Sequence, residues 1–213
     1  KKIRTSVDET CPECKAFTEE RGFHERSHGI AMLLDLLSFD DRPYDSLINQ
    51  LISEGFQFTS MEALGNTEEA QRKLYELNEA TGMDVPGSGG ESSWASFEDF
   101  QKRVCQAEWY KPGGQKVVID NHMGEFVAMS AITVFEGSDH AYNLHTGTDR
   151  KYRGKKLAQA VKVTALRYAR DVLKTEKVLT HHNSQNQAMI AIDQKLGYQP
   201  IPGYYSMQLD LEP

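Results

Sequence analysis

A strand, a short basic turn and a long amphipathic helix follow one another between residues 141 and 172. Residues 141–148 have the pattern of a strand, and the segment after the turn repeats its apolar side chains at helical spacing. The residues of this repeat are Leu157, Val161, Thr164, Ala165, Tyr168 and Val172. A helix with one apolar face must bury it against another layer, so this segment favours a fold in which helices cover a sheet.

The rest of the chain alternates in the same way and predicts a mixed α/β (α+β) sheet fold. Further strands are predicted at 3–7, 56–59, 116–120, 125–135, 177–182 and 204–211, with an extended segment at 28–37. Helices are predicted at 13–20, 43–54 and 185–196, after Thr67, and after Ser96 as a helix cap. Residues 82–93 are rich in Gly, Ser and Pro and predict a mobile loop. Residues 1–37 resemble the end of the chain, with Glu-Arg-Gly-Phe23 matching Lys-Leu-Gly-Tyr198.

Charge and composition narrow the function classes. The formal net charge of −7 argues against a nucleic-acid partner, because polyphosphate binding needs a basic surface. No apolar run is long enough for a membrane span, so no membrane partner is expected. The first four residues lack the apolar stretch of a secretory signal, which favours a cytoplasmic protein. With no initiator Met, the chain is expected to be a processed or truncated fragment.

The three cysteines predict no disulfide framework. Cys11 and Cys14 have the spacing of a zinc knuckle or a redox pair, and His24 and His28 could complete a zinc site. We favour the plainer interpretation, two reduced thiols at the start of a helix, and expect no metal. Cys105 is interpreted as a core residue of a helix.

The basic turn between strand and helix has the features of an anion site. The first turn of a helix has unpaired N–H groups and the positive end of the backbone dipole. Gly154 allows a ligand to approach the backbone closely, and Ala158 keeps the helix entrance narrow. Arg153, Lys155 and Lys156 add positive charge at the same point, so a diphosphate is the expected ligand; a solvated basic helix start is the alternative.

Two motifs resemble those of the GNAT superfamily of N-acetyltransferases. The segment TGTDRKYRGKKLAQAVK is similar to motif A, Arg/Gln-x-x-Gly-x-Gly/Ala, with Arg153 first, Ala158 last and Lys156 in place of the central glycine. The segment HHNSQNQAMIAIDQKLGY is similar to motif B, with matches at Asn183, Asn186, Ala188, Leu196, Gly197 and Tyr198. The resemblance covers roughly residues 55–213 and is strongest over 144–200.

This resemblance implies a GNAT fold and acetyl-CoA as the acyl donor. Strands 141–148 and 177–182 are expected to splay apart, with the pantetheine arm between them, paired to their backbone. A backbone N–H near Thr146–Thr148 would face the developing oxyanion of the thioester. The implied contacts are Thr146, Gly147, Thr148, Arg153, Gly154, Lys155, Lys156, Leu157, Ala158, Asn183, Asn186 and Met189.

The same resemblance implies direct attack by an amine, with a general base and a group that protonates the leaving thiolate. His145, Glu136 and Tyr142 are the predicted catalytic residues, with His140 behind them as a further candidate base. Many relatives carry a Tyr acid where this chain has Asp193, so that role is vacant or filled elsewhere, with Tyr204 and Tyr205 as candidates. His181 and His182 are interpreted as the end of a strand, since adjacent strand residues point to opposite faces.

The first 42 residues resemble the closing part of another GNAT domain without its Arg-Gly turn. The chain is thus similar to tandem acetyltransferases of the mycothiol synthase type: residues 1–42 as a remnant, 43–54 as a connecting helix and 55–213 as the acetyltransferase domain. The remnant is not expected to bind acetyl-CoA. The predicted function is acetyl transfer to a primary amine of a small molecule, with a protein N-acetyltransferase or a non-catalytic acetyl-CoA-binding module as alternatives. A homodimer is possible.

Overall fold

The computed structural model describes residues 1–87 and 94–211. Eight strands and six α-helices within these ranges confirm the predicted α/β class. The chain divides into two compact units, one formed by residues 1–34 and 179–213 and the other by residues 35–178. Of the predicted loop 82–93, residues 88–93 lie outside the described residues.

The unit of residues 35–178 contains a four-stranded antiparallel sheet in the order β6-β5-β4-β3. Its helices bury apolar faces, as their periodic sequences predict; in α5, Leu157, Val161 and Leu166 are wholly or almost wholly buried. The elements are α2 (Asp45–Ser53), β3 (Phe56–Ser60), α3 (Glu68–Gly82), α4 (Phe97–Phe100), β4 (Gln115–Asp120), β5 (Glu125–Thr133), β6 (Ala141–Thr148) and α5 (Leu157–Asp171).

The unit of residues 1–34 and 179–213 is built on antiparallel strands in the order β1-β8-β2. The register joins Lys2 to Asp210 on one side of β8 and His24 to Gln208 on the other. Its elements are β1 (Lys2–Asp8), α1 (Pro12–Glu19), β2 (His24–Asp35), β7 (Lys177–Asn183), α6 (Gln187–Lys195) and β8 (Gln199–Asp210).

This unit is an internal repeat, as the likeness between the chain ends predicts. Adding 175 to the bounds of β1 and β2 gives the bounds of β7 and β8: 2 and 8 become 177 and 183, and 24 and 35 become 199 and 210. The hydrogen bonds repeat too. The Glu9 N–H donates to the Gly203 carbonyl at 3.0 Å, and its counterpart, the Ser184 N–H, donates to the His28 carbonyl at 2.8 Å. Two β-α-β copies therefore pair with each other about a pseudo-twofold axis.

Several element boundaries differ from the predictions. Strand β8 begins at Gln199 rather than residue 204, although Pro200 and Pro202 lie within it and lack the N–H group that strand pairing uses. The segment after α4 continues as a π-helical turn over Gln101–Cys105. The caps at Thr67 and Ser96 are confirmed, since each side chain accepts a backbone hydrogen bond three residues further on.

The prediction of reduced thiols at Cys11 and Cys14 is wrong. The two sulfurs form a disulfide whose Cα atoms lie 5.3 Å apart, because helix α1 begins between them and brings residues three apart onto one turn. Cys105 is half-buried beside the core of the 35–178 unit, and burial raises the pKa of its thiol to about 11.

Within the described residues, no group of three or more His, Cys, Asp or Glu side chains is arranged to hold a metal ion. The alternative of a zinc site at Cys11 and Cys14 is therefore not supported by a set of metal ligands. None of the helices over the described ranges combines the length and apolar character that a membrane span requires.

Candidate functional site

The predicted anion-binding turn joins β6 to α5 and has an unusual backbone. Gly154 has φ of 83°, which glycine adopts at little cost. Lys156, at the position of the family's central glycine, also lies in the left-handed region, with φ of 64° and ψ of 18°. A non-glycine residue is strained by about 1 kcal/mol in this conformation. The lysine therefore adopts a conformation that favours glycine, the residue that the motif has at this position.

The start of α5 has its N–H groups open to a ligand. Among the described residues, no side chain caps the helix at Lys156. The first N–H groups of an α-helix have no partner within the helix, so an anion can satisfy them. At the end of β6, Thr148 is buried and its hydroxyl has no hydrogen-bond partner within the described chain. Both features suit a polar ligand at this turn.

One carboxylate already lies against the basic turn. Asp84, just after α3, forms ion pairs with Arg150 and Arg153. The Arg150 Nε lies 2.9 and 2.8 Å from the two carboxylate oxygens. Hydrogen bonding to Arg150 lowers the pKa of Asp84 to about 2, so this group is ionised at neutral pH. A phosphate that binds Arg153 must therefore share the guanidinium with Asp84 or displace it.

Strand β6 is held by the end of α3. The Thr81 hydroxyl donates to the Leu77 carbonyl at 2.7 Å and lies 2.9 Å from His145 Nε2. A Cβ atom at Gly147 would lie only 2.5 Å from Thr81, so glycine lets the helix approach the strand.

Strand β6 also contains a bulge. Its pairing with β5 shifts by one residue between Asn143 and His145, which places the bulge at Leu144. This geometry fixes the strand just before Thr148.

The predicted catalytic residues differ in their surroundings. Burial lowers the pKa of His145 to about 4, so its imidazole is neutral at neutral pH and a weak base. Glu136 is exposed in the turn between β5 and β6. Strand β6 begins at Ala141, after Glu136, and His145 lies four residues further along it. At about 3.3 Å per residue, roughly 13 Å of strand separates Ala141 from His145. Tyr142 is half-buried, with its ring 6.0 Å from that of Phe135. Their catalytic roles stay predictions.

The structure brings nine of the predicted cofactor contacts to the end of β6 and the start of α5. These are Thr146, Gly147, Thr148, Arg153, Gly154, Lys155, Lys156, Leu157 and Ala158. The other three, Asn183, Asn186 and Met189, belong to the repeat unit. There the Asn183 carboxamide accepts from Gln185 N–H at 2.9 Å, and Asn186 caps α6. The predicted cleft between 141–148 and 177–182 stays a prediction.

A buried ionisable pair escaped the sequence analysis. His182 Nε2 lies 2.6 Å from Asp193 Oδ2, and the Asp193 side chain is wholly inaccessible to solvent. Burial, together with the charge of Asp193, raises the pKa of Tyr198 well above its usual value. The equivalent residues of the first copy are Val7, Thr18 and Phe23, so all three residues of this cluster differ between the copies.

Comparisons with known proteins identify the family and the fold. The model of the acetyltransferase (GNAT) domain family matches residues 66–199. No curated protein matches the chain. The chain is similar in structure to a GCN5-related N-acetyltransferase from Sphaerobacter thermophilus, with 16% identity, a TM-score of 0.71 and coverage of 100% of this chain and 60% of that one.

Two further solved structures show the same fold. A tandem GNAT protein from the clavulanic acid biosynthesis pathway has 16% identity, a TM-score of 0.66 and coverage of 100% of this chain and 65% of that one. A GCN5-related N-acetyltransferase from Kribbella flavida has 14% identity, a TM-score of 0.64 and coverage of 98% and 68%. The chain thus spans about 60% to 65% of the length of the first two relatives. Since the family model covers more than half of it, this protein belongs to the GNAT acetyltransferase family.

Proposed function

We propose that the protein transfers an acetyl group from acetyl-CoA to the primary amine of a small molecule. The observation that carries this proposal is the open start of α5, where Lys156 holds a left-handed conformation and no described side chain caps the helix. Backbone N–H groups that converge at a helix start bind the paired phosphates of a carrier such as CoA.

The side chains around this turn suit a diphosphate. Arg153, Lys155 and Lys156 supply positive charge. The Thr148 hydroxyl, which has no hydrogen-bond partner among residues 1–87 and 94–211, supplies one more polar group. Apart from Gly154 and its two chain neighbours, no described residue has a heavy atom within 4 Å of where a Cβ atom at Gly154 would be, so a ligand has room to approach the backbone there. In this proposal Asp84 holds Arg153 in place until the diphosphate competes for it.

The reaction would be direct attack by the amine on the thioester. The attacking nitrogen must lose a proton and the departing sulfur must gain one, so the protein needs a group that moves a proton. A chain with a net charge of −7 attracts a cationic amine more readily than an acidic acceptor. This charge supports a cationic amine as acceptor, and an amine carried by a protein is the alternative to a small molecule.

We also propose that residues 1–42 derive from a second GNAT-like domain, as in tandem acetyltransferases similar to mycothiol synthase. The internal repeat supports this origin, since β1, α1 and β2 match β7, α6 and β8 element by element. The tandem GNAT protein among the structural relatives supports it as well. In this proposal the first copy lacks the Arg-Gly turn and serves as scaffold.

Calorimetric titration with acetyl-CoA tests the site through two matched variants. Arg153→Gln and Arg150→Gln each remove one positive charge and one ion pair with Asp84. If Arg153 binds the diphosphate, its loss should weaken acetyl-CoA binding about 10- to 100-fold, the value of a charge-assisted hydrogen bond of about 1.5–3 kcal/mol. Arg150→Gln should change the Kd far less.

Two results would count against the proposal. If both variants and the wild type had equal Kd values for acetyl-CoA, the diphosphate would not bind at this turn. Tight acetyl-CoA binding by the wild type, without CoA release across a panel of primary amines, would instead favour the non-catalytic module.

A further inference from the structure

The Cys11–Cys14 disulfide lies at the start of α1, within the unit of residues 1–34 and 179–213. Cys14 is exposed to solvent and Cys11 is half-buried. Disulfides that thiols in solution can reach are the labile ones, whereas buried ones are inert. The proposed acetyl transfer gives this bond no role, so its purpose lies elsewhere.

The bond is poorly placed to stabilise the fold. A disulfide stabilises a protein mainly by constraining the unfolded chain, and the effect grows with the length of the loop that it closes. This bond joins residues only three apart in sequence, so the loop is very short. Both cysteines belong to the start of α1, and that helix has no buried residues. The bond therefore ties α1 to no other element of the fold.

The second copy of the repeat folds without a disulfide at this place. Its helix α6 has Asn186 and Met189 where α1 has Cys11 and Cys14. The Asn186 side chain accepts a hydrogen bond from the Met189 N–H and caps the helix. Among the described residues, no side chain caps α1 at Cys11. The same backbone plan thus carries a capping oxygen in one copy and a sulfur in the other.

This position at the helix start decides which sulfur is the leaving group. A reduced Cys11 would hold its thiolate where Asn186 holds its capping oxygen, next to N–H groups and the positive end of the helix dipole. Such a position stabilises a thiolate, and the more stable thiolate leaves a disulfide faster. Cys14 is the more exposed of the two residues. An incoming thiol should therefore attack Cys14 and release Cys11.

We infer that the Cys11–Cys14 disulfide is a site of thiol–disulfide exchange with low-molecular-weight thiols. A thiolate bonds to Cys14 Sγ, the bond between the two protein sulfurs breaks, and Cys11 leaves as a thiolate. A second thiolate attacks the small-molecule sulfur of this mixed disulfide and releases Cys14. Two small thiols give up two electrons and two protons and become one disulfide, while the protein gains two thiols. An oxidised small-molecule disulfide drives the same steps in reverse.

Reaction of the folded protein with reduced glutathione tests the exchange. The protein is incubated without denaturant, quenched with acid at a series of times, alkylated, and mapped by mass spectrometry. Cys11 and Cys14 should become reduced, and oxidised glutathione should restore their bond. At early times, glutathione should be found on Cys14 in about 10-fold or greater excess over Cys11, because Cys11 is the better leaving group.

The third cysteine and the melting temperature show whether the protein stays folded during the reaction. Cys105 is a half-buried free thiol of the other unit, and its alkylation should not rise as the disulfide opens. Reduction should shift the melting temperature by no more than about 2 °C, since a bond within one turn adds little stability.

The second copy supplies the matched control variant. Cys11→Asn with Cys14→Met gives α1 the two residues with which α6 begins. We expect this variant to fold, to melt within about 2 °C of the oxidised wild type, and to carry no glutathione on α1. The variant Cys105→Ser should keep the wild-type rate of exchange.

Three results would overturn the inference. If the bond opened only in denaturant, or if reduction lowered the melting temperature by many degrees, the disulfide would be structural. If oxidised glutathione never formed the bond in the reduced protein, there would be no exchange site. Glutathione found mainly on Cys11 would contradict the order of attack. None of these assays uses acetyl-CoA, so their failure leaves the proposed acetyl transfer standing, and a lack of amine turnover leaves the exchange site standing.

Discussion

The two copies of the repeat have one backbone plan and different interiors. Both run strand, helix, left-handed glycine and strand, with Gly22 at φ of 81° and Gly197 at φ of 94°. Yet the first copy has Val7 where the second has His182. It also bears the Cys11–Cys14 disulfide at the start of its helix, where the second copy has Asn186 and Met189.

This difference indicates which features the fold requires. The glycine after each helix is kept in both copies, and it sets the backbone there. A helix that ends in a left-handed residue favours glycine because any side chain there is strained. Other side chains differ: Val7 and Thr18 of the first copy stand where the second copy has His182 and Asp193.

The symmetry is broken near the pseudo-twofold axis. Gly29 and Tyr204 are equivalent positions and pair with each other across β2 and β8. A Cβ atom at Gly29 would lie 2.8 Å from the Tyr204 ring. A Cβ atom at Gly203 would lie only 1.9 Å from the Gly29 carbonyl oxygen, whereas the equivalent residue of the first copy is His28. One copy therefore needs a glycine where the other carries an imidazole.

The largest effect is expected from Gly203→Ala. Its new methyl group would meet backbone, which cannot rotate away, so we expect a loss of about 3 kcal/mol or more in the free energy of unfolding. Gly29→Ala meets the end of an aromatic side chain that can turn, and should cost less. Chemical denaturation of both variants checks this order. If Gly203→Ala were the more stable of the two, the close approach of β2 to β8 would be wrong.

Gly22→Ala and Gly197→Ala should each cost about 1 kcal/mol, because alanine in the left-handed region is strained by that amount. The atoms around the two added methyl groups match as well. The added Cβ atom would lie 3.4 Å from Leu209 in the first copy and 3.6 Å from Leu34 in the second. Leu34 and Leu209 are themselves equivalent. The free energy of unfolding, measured by chemical denaturation, should therefore fall equally in the two variants. A difference above about 1 kcal/mol between them would contradict the twofold relation.

Local patterns predicted most of the fold. Helical periodicity located α5, and the short polar capping residues Thr67 and Ser96 located the starts of α3 and α4. The start of β8 was missed because Pro200 and Pro202 disfavour a strand in isolation. Pairing with β2, which joins Pro200 to Met32, overrides that local preference.

Only the part of the candidate site that lies within one short segment of sequence could be predicted. The turn from Arg153 to Ala158 is a single segment, so spacing and charge identify it. Its pairing with Asp84 joins residues far apart in sequence, and the pair of His182 and Asp193 depends on how a strand and a helix pack. Sequence spacing carries no information about such contacts. The disulfide was missed because a CxxC pair is compatible with thiols, a metal site or a bond.

The smallest effect at neutral pH is expected from Tyr198→Phe, which gives the second copy the aromatic residue of the first, Phe23. Burial, with the charge of Asp193, holds the pKa of Tyr198 well above its usual value of 10.0. The neutral phenol therefore adds stability that is complete below pH 10 and is lost as the pH rises further, because the unfolded chain then releases the proton more readily. Phenylalanine has no such proton.

At pH 7 the variant should differ from the wild type by no more than about 1 kcal/mol in the free energy of unfolding. Between about pH 10 and 11 the wild type should lose stability faster than the variant, since all other titrating groups are common to both. Denaturant titrations at a series of alkaline pH values measure this difference. Parallel curves would show that Tyr198 ionises as easily in the folded chain as in the unfolded one, and would mean that the polar cluster of the second copy is open to water.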